Sequence, residues 1–266
     1  MSRTEAHITD ELQAATSAGN LDKITKLLNE WDTLTKGVPF SPIEDLLPLA
    51  ARNGDTRTIS YLLQRRKPAS FKDAILTAFD TPNVDTAVFQ AFLDGGFNIN
   101  TNLGHIGDLL ILSLGYPDVL KWALAHGADP NRNRTGMRSP LDLAVMRASP
   151  EAVLLLLRHG ARLNNTNALK AAAFYGELGM IKLLLEAGAL INEIPDCEGM
   201  LSSEREDGLG TALHEAANGG QKEAAELLLE RGADPAIKNS LRKTALDIAK
   251  EKGNAAVVEV LESIMA

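Results

Sequence analysis

The chain repeats itself. Aligned on a closing glycine, one frame of 22 residues recurs as SPLDLAVMRASPEAVLLLLRHG (139–160), NALKAAAFYGELGMIKLLLEAG (167–188) and TALHEAANGGQKEAAELLLERG (211–232). It returns near the end as TALDIAKEKGNAAVVEVLESI (244–264). Looser copies lie at 10–31, 45–66 and 109–127, and a poorer one at 73–96 carries extra residues before its second half. Gly96, Gly127 and Gly160 are 31 and 33 residues apart, Gly188 follows after 28 and Gly232 after 44. One junction is short, and the next holds an insertion.

A single copy cannot fold alone. Thr211 stands where a helix N-cap belongs, its hydroxyl able to accept an orphan backbone N–H. Leu213, Ala216 and Ala217 follow at helical spacing, and Gly219-Gly220 supplies a left-handed exit. A second helix runs from about Gln221 through Leu227, Leu228 and Leu229 until Gly232 stops it. Three consecutive leucines wrap more than half of a helix, which must then be covered on several sides. Helices shorter than ~12–15 residues are marginal in water, so each unit needs neighbours. A stack of such units is a solenoid.

The T-A-L-H start at 211–214 and the L-L-L-E-R-G-A-D run at 227–234 resemble the ankyrin repeat family, as do Ser139-Pro140-Leu141 and Gly127-Ala128-Asp129. The resemblance covers nearly all of residues 10–264. Only Pro140 keeps the family's proline at the first helix start, where a missing N–H costs nothing. It implies an all-α ankyrin-repeat solenoid in which first helices line a concave face and second helices form the back. It also implies short β-hairpin-like fingers between repeats. The expected layout is a tail at 1–9 and one repeat domain over 10–266, with the insertion at 193–208. Lys23 and Lys26 in the first repeat, and Lys250 and Glu262 in the last, replace apolar residues of inner repeats, as the ends of a stack require.

The single cysteine, Cys197, excludes an internal disulfide and suits a reducing compartment. No apolar run approaches the ~18 residues of a membrane span, and the start lacks the apolar core of a secretory signal. A net charge of −8 argues against nucleic-acid binding by bulk electrostatics. The expectation is an intracellular protein, cytoplasmic or nuclear, monomeric, with neither membrane nor nucleic-acid partner.

Candidates for chemistry are few. His126 and His159 both precede a closing glycine, where they can meet the last carbonyls of a helix. His214 belongs to the repeat signature and is expected to hydrogen-bond structurally, and His7 and His105 fall in no pattern. Asp196 and Glu198 beside Cys197 disfavour a thiolate. No nucleophile elbow, phosphate loop or dinucleotide fingerprint opens a helix. An enzyme, a cofactor and a metal are therefore not expected.

Binding remains, and the frame says where. By resemblance, the two residues before each inter-helix glycine face the groove. These include Arg52, Leu114, Met146-Arg147 and Phe174-Tyr175. Two of the chain's seven Phe and three Tyr are thus adjacent. Aromatics, Met and Arg are enriched at binding hot spots. The alternative is that Phe174 and Tyr175 fill a gap above the small Asn218-Gly219. Arg132, Arg134 and Arg138 lie on one connector, either as a clamp for an acidic segment or simply solvated. Residues 151–266 carry an acidic excess that suits a basic client. The expected function is protein binding as an adaptor, inhibitor or assembly chaperone, the alternative a constitutive subunit of one complex, and the remote alternative an enzyme with an unrecognised site.

Overall fold

The computed structural model of the chain describes residues 5–35, 43–104, 107–132, 138–195 and 208–265. Arg134, His105, Cys197 and most of the insertion lie outside the described residues. The chain divides into two compact units, the first ending at Ala128 and the second starting at Asp129.

The first unit holds α1 (Glu5–Ser17), α2 (Leu21–Leu34), α3 (Ile43–Arg52), α4 (Thr56–Arg65), α5 (Lys72–Phe79), α6 (Thr86–Asp94), α7 (Leu109–Leu112) and α8 (Pro117–Ala125). A 3-10 turn, Ser113–Gly115, extends the one-turn α7. Helix α1 begins at Glu5, inside the stretch read as a tail. Caps set the second helices: Asn20 Oδ1 accepts from the N–H of Lys23 at 3.0 Å, and Asp55 Oδ1 from Thr58 at 3.0 Å. Packing then follows in two rows, α1 on α3 on α5, and α4 on α6 on α8. The rows bury Ile8, Leu12, Leu46, Leu47, Ile59, Leu62 and Ile75 almost completely. Each such side chain contributes about 1.5–3 kcal/mol against the entropy of ordering the chain. Phe79 packs on Phe89 at 5.0 Å between ring centroids, and Phe89 on Trp122 at 6.1 Å, filling the space where the frame is least regular.

The second unit holds α9 (Pro140–Met146), α10 (Pro150–Arg158), α11 (Ala168–Tyr175), α12 (Leu178–Glu186), α13 (Ala212–Asn218), α14 (Lys222–Glu230), α15 (Ala245–Lys252) and α16 (Ala255–Met265). Here α9, α11, α13 and α15 pack in one row, and α12, α14 and α16 in another. Leu227 and Leu228 are buried and Leu229 is half-buried, as three adjacent leucines on a covered helix must be. The exit after α13 uses its two glycines differently. Gly220 takes the left-handed conformation at φ 67°, whereas Gly219 has φ −77° and is needed for close approach. A Cβ on Gly219 would lie 2.3 Å from the carbonyl oxygen of Phe174. At the outer end Lys250 meets Glu262 at 2.8 Å, an exposed pair worth about 0–1 kcal/mol.

The expected β-hairpin fingers do not form: among the described residues there is no strand. Side chains bond several of the connectors' backbone groups instead. The carboxylates or amide oxygens of Asn98, Asp129 and Asp234 each accept the N–H two residues on, at 2.8–2.9 Å, which curls the backbone into a turn. Asparagines then join neighbouring repeats. Asn100 donates to the carbonyl of Gly127 at 2.9 Å, and Asn131 to that of Gly160 at 2.8 Å while accepting from Arg162. Asn192 accepts from the N–H of Asp234 at 2.9 Å in the same way.

Candidate functional site

The sequence candidates separate by exposure. Phe174 and Tyr175 end α11, where Gly176 turns the chain with a left-handed φ of 71°. Their rings meet edge to face, 5.2 Å apart at 89°. Phe174 is 37 % exposed and Tyr175 51 %, so both residues reach the surface. The space above Gly219 is closed by the Phe174 carbonyl rather than by its ring. Met146, half-buried, ends the neighbouring α9, and the exposed Arg147 caps it by donating its N–H to Leu143 O at 3.1 Å. Since α9 packs on α11, Met146-Arg147 and Phe174-Tyr175 terminate adjacent helices.

The other candidates scatter. Arg52 is exposed at the end of α3, in the first unit. Leu114 is 2 % exposed and belongs to the core: with α7 cut to one turn, the 3-10 extension rotates it inward. It offers no surface to a partner. Arg132 and Arg138 are half-buried. Arg138 acts on Asp142, whose carboxyl is raised above its ordinary pKa by burial and pulled back by hydrogen bonds from Ser139 and Asn167 and by this guanidinium.

His126, His159 and His214 are structural. His126 Nδ1 meets the carbonyl of Trp122 at 2.8 Å, and His159 Nδ1 that of Leu155 at 2.9 Å, each at a helix end. Buried His214 accepts the N–H of Thr211 on Nδ1 at 3.1 Å, which leaves Nε2–H to donate to Lys243 O at 3.1 Å. Burial holds its pKa below the ordinary value, so it stays neutral. Among the described residues no three His, Cys, Asp or Glu side chains gather as a metal site.

The first unit has an open polar depression of about 860 Å³ lined by Ser17, Asn20, Asn53, Asp55 and Arg57, among others. Asn20, Asn53 and Asp55 of this lining are occupied by the fold. Besides the two caps, Asn53 Nδ2 donates to the carbonyls of Thr16 and Ser17 at 3.1 and 2.9 Å. No helix of the described residues is long and apolar enough to cross a membrane.

Comparison with known proteins agrees with this architecture. The chain is 32 % identical over 120 residues to a protein of Caenorhabditis elegans named transient receptor potential cation channel subfamily A member 1 homolog, covering 43 % of this chain and 9 % of that protein. It is 38 % identical over 85 residues to the probable E3 ubiquitin-protein ligase XBOS34 of Oryza sativa subsp. japonica, covering 32 % and 15 %. It is 36 % identical over 86 residues to the human tRNA endonuclease ANKZF1, covering 32 % and 11 %. The chain therefore spans less than a fifth of each of these relatives. The profile of the family described as Ankyrin repeats (3 copies) matches residues 109–195 and again 196–264, more than half of the chain. With its tandem helix pairs and glycine-closed frames, the chain belongs to the ankyrin-repeat family.

Proposed function

We propose that this protein is a non-catalytic binding module that holds a partner protein against the end of α11, with Phe174 and Tyr175 as anchors and Met146 and Arg147 beside them. The exposed edge-to-face aromatic pair carries this reading. Tyrosine and arginine dominate binding hot spots, and a ring ordered by its neighbour loses little entropy on binding. Ankyrin repeats generally mediate protein–protein contacts. The role is that of an adaptor, inhibitor or assembly chaperone, and the acidic excess of residues 151–266 favours a client with a basic surface. The activities named for the longer relatives remain theirs.

The test uses the double variant Phe174→Ala, Tyr175→Ala beside the wild type. Proteins cross-linked to the wild type in cells are identified by mass spectrometry, and the dissociation constant of the most abundant one is measured for both forms. The expected loss is about 2 kcal/mol or more, roughly thirtyfold in Kd, with the melting temperature unchanged. Equal affinity of a folded double variant refutes the aromatic anchor.

A further inference from the structure

Between α4 and α5 the chain concentrates positive charge. Arg65, Arg66, Lys67 and Lys72 stand among residues 65–72 without one Asp or Glu, in a chain of net charge −8. Arg65 ends α4 and is engaged there, paired with Asp32 and lying over the Tyr61 ring. Arg66 leaves the helix in an extended conformation, at φ −157° and ψ 139°, and Pro68 steers Lys67 away from the helical region. Arg66, Lys67, Ala69 and Ser70 are exposed.

Ser70 follows these cations, with Lys67, Arg66 and Arg65 three, four and five residues before it. Its Oγ accepts the N–H of Lys72 at 3.1 Å, where α5 begins. The connector is lightly held. Among the described residues the backbone of 67–70 makes one hydrogen bond, from the N–H of Ala69 to Glu44 Oε1 at 2.9 Å. Phe71 fixes the far end, its ring centroid 6.0 Å from that of Phe92 and 5.4 Å from that of Phe97. An exposed hydroxyl thus stands on a short segment that leaves the surface by breaking one backbone bond.

We propose that Ser70 is a phosphorylation site for a protein kinase that reads cations three to five residues before its acceptor. Kinases select substrates by charge pattern, and Arg66 and Lys67 offer that pattern on an exposed connector. In the step, Ser70 Oγ bonds to the γ-phosphorus of ATP while the bond from that phosphorus to the β,γ-bridging oxygen breaks. ADP leaves with the electron pair, and the hydroxyl proton passes to a base of the kinase. The product adds about −1.5 to −2 charges at pH 7, which offsets roughly half of the four cations in 65–72. Phosphate oxygens then stand where the hydroxyl accepts the Lys72 N–H, at the positive end of α5. Glu44, bonded to the neighbouring residue, meets the same charge as repulsion, which loosens its hold on Ala69. The site lies in the first unit and does not depend on the aromatic pair of α11.

The experiment treats the folded full chain with ATP and a panel of purified serine kinases directed by Arg and Lys, beside a synthetic peptide of residues 63–76. Phosphate should enter the chain at Ser70, mapped by fragmentation mass spectrometry, at a rate within about tenfold of the peptide's. Arg66→Glu, Lys67→Glu should slow it about tenfold or more, and Arg66→Lys, Lys67→Arg should not, with the melting temperature of both variants that of the wild type. In the phosphorylated chain the Lys72 amide should exchange more slowly and the Ala69 amide faster. Phosphate on Ser60, which follows Arg57 within α4, or on Thr135, which follows Arg132 and Arg134, with none on Ser70, would overturn the proposal. A modified peptide beside an unmodified folded chain would overturn it as well, because the connector is then closed to a kinase. So would no incorporation into either, or rates indifferent to the charge reversal.

Discussion

His214 of α13 donates its Nε2–H to the backbone carbonyl of Lys243, 3.1 Å away and one repeat further along the chain. The proton's place follows from the other nitrogen, which accepts the N–H of Thr211. One imidazole thus caps its own helix and ties down the entry to α15. His214→Ala leaves both partners unsatisfied and should cost about 1–3 kcal/mol. Because burial lowers the folded-state pKa below 6.5, the unfolded chain takes up the proton first. Stability from the neutral ring is therefore complete above that value and is lost as pH falls through it toward the folded pKa. Melting temperature should drop between about pH 7 and about pH 5, and His214→Asn should flatten that drop. Equal slopes in both proteins would dissociate His214 from the pH dependence.

Asp142 has the opposite sign. It occupies in α9 the place that His214 holds in α13, is 3 % exposed, and its Oδ1 is buried with no hydrogen-bond partner. Burial raises its folded pKa above 3.8. A raised carboxyl contributes stability that is present below the unfolded value and lost as pH rises through the folded one. Asp142→Asn should therefore gain on the wild type as pH increases from about 4 to about 7, read as the difference in melting temperature.

Ala148 holds a left-handed φ of 49° at the inter-helix turn after α9. At this position the chain elsewhere places Gly19, Gly54, Gly176, Gly220 and Gly253, all at positive φ. An L side chain there costs about 1–2 kcal/mol, of which about 0.4–1 returns as unfolded-state entropy when glycine is introduced. Ala148→Gly should stabilise by about 0.5–1 kcal/mol, a rise of about 2–3 °C in a calorimetric scan. A fall would mean that the alanine methyl makes a compensating contact.

Leu228 is fully buried in α14. Leu228→Ala should cost about 2–5 kcal/mol. In a stacked array stability passes between neighbours, so amide exchange should accelerate in α13–α16 before it changes in α1–α4. Uniform acceleration along the chain would contradict nearest-neighbour coupling.

Helix pairs, their order and their closing glycines were legible in the sequence because they depend on residues three or four apart. Thr211 and His214, Ser139 and Pro140, and His126 four residues after Trp122 are local relations of that kind. Burial of Leu228 followed from three leucines in succession. The exposure of Phe174 and Tyr175 was not local. It accompanies the close approach of Gly219 to the Phe174 carbonyl in the next repeat.

What only the tertiary structure decided is the connectors. Asn131 reaches Gly160 and Asn192 reaches Asp234 across spans of 29 and 42 residues. Asparagine four places after a closing glycine was the available signal, at Asn100, Asn131 and Asn192, but its partner was set by stacking distance. Leu114 went inward because α7 is one turn long, and Arg242 was forced left-handed by Asn239 beneath it. Sequence alone determined the repeating unit, whose caps and helix-end bonds lie within one frame. The order in which polar groups find partners across frames was decided by folding, since it depends on which backbone atoms the stack brings within about 3 Å.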